Sequence, residues 1–204
     1  MGLVVVNSAF QLVAGQPALD LVNTLDWRFR PGEPEELLKS YADLLRFAEQ
    51  SGLLTVRQAR RLQRTTGEGA GNRVLTACRE LREAAAEVFY AALDGRSLAA
   101  APLRTLESAF KTARVHQRLV WDKSRLQWDW PEAEPEPDLP WRLLSLSAAR
   151  LMISDDMQWV RACGDPECRW LFLDTSKNHT RRWCDMKICG NRMKARRFKA
   201  QHGA

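Results

Sequence analysis

The sequence contains no apolar run of about eighteen residues, so it offers no segment able to cross a bilayer as a helix. Its opening stretch, MGLVVVNSAF, has no basic group ahead of a short apolar run, which excludes a secretory leader of the ordinary kind. Val6 stands where an N-myristoylation signal needs Ser or Thr. Paired carboxylates and a nucleophile beside a base are missing too. GEGAG (67–71) lacks the lysine and the strand–helix setting of a phosphate loop, and no repeat at solenoid periods is present. These absences point to a non-enzymatic cytoplasmic protein that does not engage a membrane.

What is present is unevenly spread. The chain has 204 residues, 45% of them apolar, enough for one good-sized domain and a small module. Its net charge is +6, yet residues 161–204 hold eleven Lys/Arg against four Asp/Glu, while residues 1–160 hold twenty against twenty-one. The excess positive charge therefore belongs to the last fifth, as in a basic module that meets a polyanion. Four of the five cysteines, Cys163, Cys168, Cys184 and Cys189, share the same region; Cys78 stands alone in a helical pattern.

Periodicity predicts a mainly α (α+β) protein. FQLVAG (10–15) reads as a short strand, and Pro17 opens a helix through ALDLVNTL. Helices follow over about 34–50, from Thr55 through Leu62, over about 73–93 and over about 101–116, with TTGEGAGN (65–72) as a loop. RLVWDKSRLQWDW (118–130) reads as a β-hairpin and PEAEPEPDLP (131–140) as an exposed connector. One more helix is predicted at about 141–160. The division expected is a helical domain over 1–158 and a zinc module over 159–204, the latter built of a knuckle, a short hairpin (WLFLD with RRW) and a basic helix.

Cys163-x4-Cys168 and Cys184-x4-Cys189, fifteen residues apart, supply the four soft ligands that tetrahedral Zn2+ requires. Gly164 and Pro166 favour a tight turn in CGDPEC, and Gly190 permits unusual backbone just after the last ligand. Four cysteines make a closed structural site for one Zn2+ per chain. The competing readings are four buried thiols, a redox pair, or His179 replacing one cysteine.

The stretch RACGDPECRWLFLDTSKNHTRRWCDMKICGNRMKARRFKA closely resembles the CGNR zinc-finger family, whose signature tetrapeptide is Cys189-Gly190-Asn191-Arg192 here. The likeness extends to WLFLDTS, RRWC and the KAR after CGNR. Upstream, GQPALDLVNTLDWR (15–28) resembles the start of the ABATE domain that usually precedes this finger. The resemblance implies a bacterial stress-induced transcriptional regulator, with a DNA-binding zinc module joined to a sensory domain.

The residues alone lead toward nucleic acid as well. After Cys189, Asn191 is a candidate cap, and Arg192, Lys194, Arg196, Arg197 and Lys199 fall within eight positions, with Arg181, Arg182 and Lys187 adding charge nearby. Met193 and Phe198 leave one narrow apolar stripe for packing. Arginine forks suit phosphate oxygens and guanine edges. A solvated helix end, RNA binding or an acidic protein partner remain alternatives to DNA. Trp170, Phe172 and Trp183 read either as stacking platforms or as the core of the small module. In LVNTLDWR, Asn23, Thr24, Asp26 and Arg28 either line a pocket for a small-molecule effector or cap the helix and close its turn.

Overall fold

Pro17 has no N–H to leave unpaired, and in the computed structural model, which describes residues 10–32, 34–130 and 136–202, it opens α1 (Pro17–Asn23). The segment before it forms no strand. It makes a single ladder-like bond, from Leu173 N–H to the Ala14 carbonyl at 2.8 Å, too little to register a strand pair. Every residue of α1 after Pro17 is buried, and the helix packs against α4 (Glu68–Asp94), α6 (Leu139–Met152) and β6 (Leu171–Leu173).

Local capping decides where the next helices begin. α2 covers Tyr41–Gln50 rather than starting near residue 34, because Ser40 and Asp43 form a capping box there. Upstream, Leu25–Asp26 (β1) and Glu35–Glu36 (β2) form a two-rung ladder instead. Buried Arg82 binds Glu36 at 2.7 and 2.8 Å and Thr24 Oγ1 at 3.2 Å, fastening this loop to α4. Thr55 caps α3 (Val56–Thr65) as predicted, and Gln58 completes a capping box with it. The stretch 68–72, read as part of a loop, is the first turn and more of α4. Gly71 belongs there because a Cβ would lie 3.0 Å from the Tyr41 side chain. Gly95, at φ 63°, ends α4 in the left-handed conformation.

α5 (Ala100–Val115) leads into the predicted hairpin, β3 (Arg118–Asp122) and β4 (Arg125–Asp129). The connector at 131–135 lies outside the described residues. α6 stops at Met152, short of the predicted 160, and a 3-10 turn (Asp155–Trp159) carries the chain into β5 (Val160–Ala162). β6 pairs antiparallel with β5, not with RRW. The Asp174 carboxylate explains the difference: it accepts from Ser176 N–H at 3.0 Å and from Arg181 N–H at 2.9 Å, turning the chain away before RRW can reach β6.

The expected boundary at 158/159 falls inside a continuous core. Leu19, Phe47, Leu81, Phe89 and Leu144 belong to the same buried cluster as Val160, Leu171, Phe172 and the four clustered cysteines. A satellite core of Leu45, Ala48, Leu54, Ala59, Leu62 and Leu139 joins α2, α3 and the start of α6. The main tie across the boundary is Asn23, whose amide donates to the Leu171 carbonyl at 2.9 Å and accepts from the Leu171 N–H at 2.8 Å. Trp170, Phe172 and Leu171 are buried in this joint core rather than offered to a base.

Asn23→Ala leaves the Leu171 N–H and carbonyl unpaired in a buried setting, costing about 2–4 kcal/mol. Calorimetry should show one transition for the whole chain, lowered in the variant by roughly 5–15 °C. Asp20 is buried and accepts from Ala14 N–H at 3.0 Å, and burial pushes its carboxyl from 3.8 up to about 6. Its protonated form therefore favours folding; that contribution is complete below about pH 4 and is lost as pH rises through 6. Asp20→Asn should raise Tm at pH 7.5, with the advantage shrinking as pH falls to 5.

Candidate metal centre and basic helix

β5 delivers Cys163 into the core, and its N–H bonds to the Trp170 carbonyl at 2.8 Å, extending the β5–β6 pairing. The Asp165 carbonyl then accepts from Cys168 N–H and Arg169 N–H, both at 3.0 Å, which closes the first knuckle. Gly164 sits where its N–H reaches the Arg182 carbonyl at 2.8 Å; a Cβ would lie 3.1 Å from that oxygen and from the Trp183 ring. Of the second pair, Cys184 stands just before one π-helical turn, Met186–Gly190, and Cys189 rides on it; Asp185 caps the turn, accepting from Lys187 N–H at 2.6 Å and Ile188 N–H at 3.2 Å. Gly190 does not need a left-handed backbone, since its φ is not positive; a Cβ there would push the Met186 side chain aside and come within 3.2 Å of the Trp183 ring.

These turns bring the four Sγ atoms within 4.8 Å of one another, all buried. Cys168 and Cys184 are 3.7 Å apart, Cys184 and Cys189 3.6 Å. A zinc tetrahedron with bonds of about 2.3 Å has sulfur–sulfur edges of about 3.8 Å, whereas a disulfide needs about 2.0 Å. The donor set therefore fits one Zn2+. Hydrogen bonds from Cys168 and Cys184 draw the Cys163 thiol well below the usual range, and the same crowding with burial holds Cys168 and Cys184 above it. His179 lies outside the set, stacked on Trp159 at 3.5 Å with Nδ1 2.8 Å from the Asp174 carbonyl.

The basic residues separate into two groups. Arg181 is turned inward, donating to the carbonyls of Val13, Trp183 and Cys184 and lying over the Phe172 ring. On α7 (Asn191–His202), Arg192 binds Asp165 at 2.9 Å and lies over Trp27, while Arg196 reaches Asp165 at 3.4 Å and Glu167 at 2.9 Å. Asp165 is 0% exposed, so this knuckle carboxylate is the latch of the helix. Asn191 serves locally, donating to the Lys187 carbonyl at 3.1 Å. Arg182, Lys187, Lys194, Arg197 and Lys199 are exposed. Phe198 is 62% exposed, so of the apolar stripe expected to pack only Met193 is half-buried, and α7 touches the protein near its first turns.

Asn23, Thr24 and Arg28 have committed polar atoms: Asn23 to Leu171, Thr24 to the Leu21 carbonyl and Arg82, and Arg28 to Glu83 at 2.5 and 3.1 Å. Asp26 accepts from Trp170 Nε1 at 2.9 Å and borders a cavity of about 200 Å3 shared with Trp27, Arg192 and the cysteines. Two features escape a sequence reading. One is Asp165, whose only signal is a carboxylate inside a basic module. The other is α3, where Arg57, Arg60 and Arg64 stand exposed; the near-neutral charge of residues 1–160 hides them.

A buried set of four thiolates on two knuckles defines a zinc-finger protein whose metal is structural. Comparison with family models agrees: the CGNR zinc finger matches residues 160–202, and ABATE, described as "Putative stress-induced transcription regulator", matches residues 15–155. The chain belongs to the ABATE family, and the pairing of the two segments is that of a zinc-binding regulator. No curated protein sequence matches it. No helix among the described residues is long and apolar enough to cross a membrane.

Purified without chelator, the protein should carry one zinc per chain by elemental analysis. Cys184→Ser should lose most of it. Because the ligands lie in the joint core, chelation should lower the transition of the entire chain, not of a separate finger.

Proposed function

We propose that this protein binds duplex DNA through α7 and acts as a non-enzymatic transcription regulator of bacterial type. The observation that carries the reading is the mounting of α7. One end is latched to the metal site through Asp165, while Lys194, Arg197 and Lys199 project along a helix with no buried residue. Such a helix can enter a groove without surrendering any packing of its own. Arg192 and Arg196 are positioning residues in this account, since the knuckle carboxylates already hold their guanidinium groups. Arg182 and Lys187 extend the positive surface toward flanking phosphates.

The helical part supplies the regulatory input. A cleft of about 460 Å3 between α1, α6 and β4, bordered by Trp128, Trp130, Ser147 and Arg150, suits a small-molecule effector better than the engaged residues Asn23–Arg28.

Fluorescence anisotropy with mixed-sequence duplex DNA tests the reading. Affinity should fall steeply with salt, and Lys194→Ala/Arg197→Ala/Lys199→Ala should weaken binding ~10–100-fold and flatten the salt slope by ~2–3. Arg57→Ala/Arg60→Ala/Arg64→Ala removes equal charge from α3 and should leave affinity nearly unchanged. Equal loss in both variants, or tighter binding to structured RNA, would overturn the assignment.

A further inference from the structure

β3 and β4 carry one five-residue pattern twice, Arg-Leu-Val-Trp-Asp and Arg-Leu-Gln-Trp-Asp. A two-residue turn, Lys123–Ser124 at φ 45° and 66°, joins them. The register sets Arg118 against Asp129, Leu119 against Trp128, Val120 against Gln127, Trp121 against Leu126 and Asp122 against Arg125. Alternation along a strand then gathers Leu119, Trp121, Leu126 and Trp128 on one face. Those four side chains are 52%, 70%, 59% and 48% exposed, whereas Val120 and Gln127 on the opposite face are half-buried. Leu119, Trp121 and Leu126 are therefore turned to solvent, and Trp128, half exposed, also borders the cleft beside α6. Apolar patches of this kind often mark an interaction site.

Viewed from outside, the four form a two-by-two array, with Leu119 beside Trp128 and, one rung on, Trp121 beside Leu126. Leucines occupy one diagonal and indoles the other. Laying a second copy face down by a twofold rotation in the plane of the sheet swaps either the columns or the rows. Either way each Trp lands over a Leu, so a large group always meets a small one. A surface complementary to itself under a twofold axis is what an isologous dimer requires. An unrelated apolar partner would impose no such antisymmetry.

We propose that this face is a homodimer interface and that its occupant is a second copy of the chain. Two indoles and two leucines exposed to this degree offer on the order of 400–500 Å2 per copy. The total approaches the ~1,000 Å2 that a specific interface needs. Arg114 already stacks on Trp128 at 4.5 Å, which holds that ring in place before association. The dimer stands independently of whether α7 contacts DNA.

Sedimentation velocity of the zinc-loaded full-length protein, from low to high micromolar concentration, tests the proposal. The wild type should populate a dimer. Trp121→Ser/Leu126→Ser should weaken it roughly 100-fold or more, with zinc content and far-UV circular dichroism unchanged because both side chains are exposed. A second variant exchanges the diagonals: Leu119→Trp/Trp121→Leu/Leu126→Trp/Trp128→Leu. It should dimerise with itself yet fail to mix with the wild type, since Trp would then face Trp. A wild type that stays monomeric, a dimer that survives the serine variant, or free mixing of the exchanged variant with the wild type would each overturn the proposal.

Discussion

Four buried thiols cannot all ionise side by side unless a cation sits among them, and the C-terminal part of this protein is shaped by that constraint. Sulfur spacings of 3.6 and 3.7 Å are too long for a disulfide and match the edges of a zinc tetrahedron. Holding them there demands two tight turns that touch, which is why Gly164 and Gly190 occur where a Cβ would meet Trp183 or Met186. The cluster also lies in the same core as α1, α4 and α6. Metal binding and folding of the helical part are thus coupled through shared packing, and the Asn23–Leu171 bonds are the polar seam of that joint.

The same knuckle sets the direction of α7. Asp165 is fully buried, closes its own turn through its carbonyl and uses its carboxylate to hold Arg192 and Arg196. A buried carboxylate without partners would be costly, so the two arginines and the knuckle stabilise one another. What remains free on the helix is a shorter set of cations, Lys194, Arg197 and Lys199. Charge counting overstates the residues available to a polyanion, because it cannot tell a guanidinium that binds a partner from one that braces its own scaffold. Arg181 makes the same point from the core side, with its donors spent on backbone carbonyls.

Much of this was legible where the chemistry is local. Cysteine spacing identified the ligand set, Thr55 marked a helix start, and the hairpin and the helix after Asn191 appear where pattern places them. Misreadings arose where two local signals compete. Leu37 and Leu38 extend the apolar period of α2 backwards, but the Ser40–Asp43 box satisfies the helix N-terminus and wins. GEGAGN looks like a loop by glycine content, yet Gly71 is what lets α4 approach Tyr41. The partner of WLFL was misjudged because a strand's pattern reports its buried faces and not its neighbour.

By itself the sequence determined which atoms can bind metal, which segments favour helix or hairpin, and how charge divides along the chain. These depend on residue type and on neighbours a few positions away. Only the tertiary structure decided that β5, β6 and the metal knuckles share a core with α1, that Asn23 bonds Leu171 across 148 positions, and that Asp165 holds the Arg192 and Arg196 guanidinium groups. It also decided that the apolar side of β3 and β4 faces outward, although alternation would serve equally well pointing in. Long-range pairing and the choice of which face is buried follow from how all the elements close together, and no local pattern encodes that.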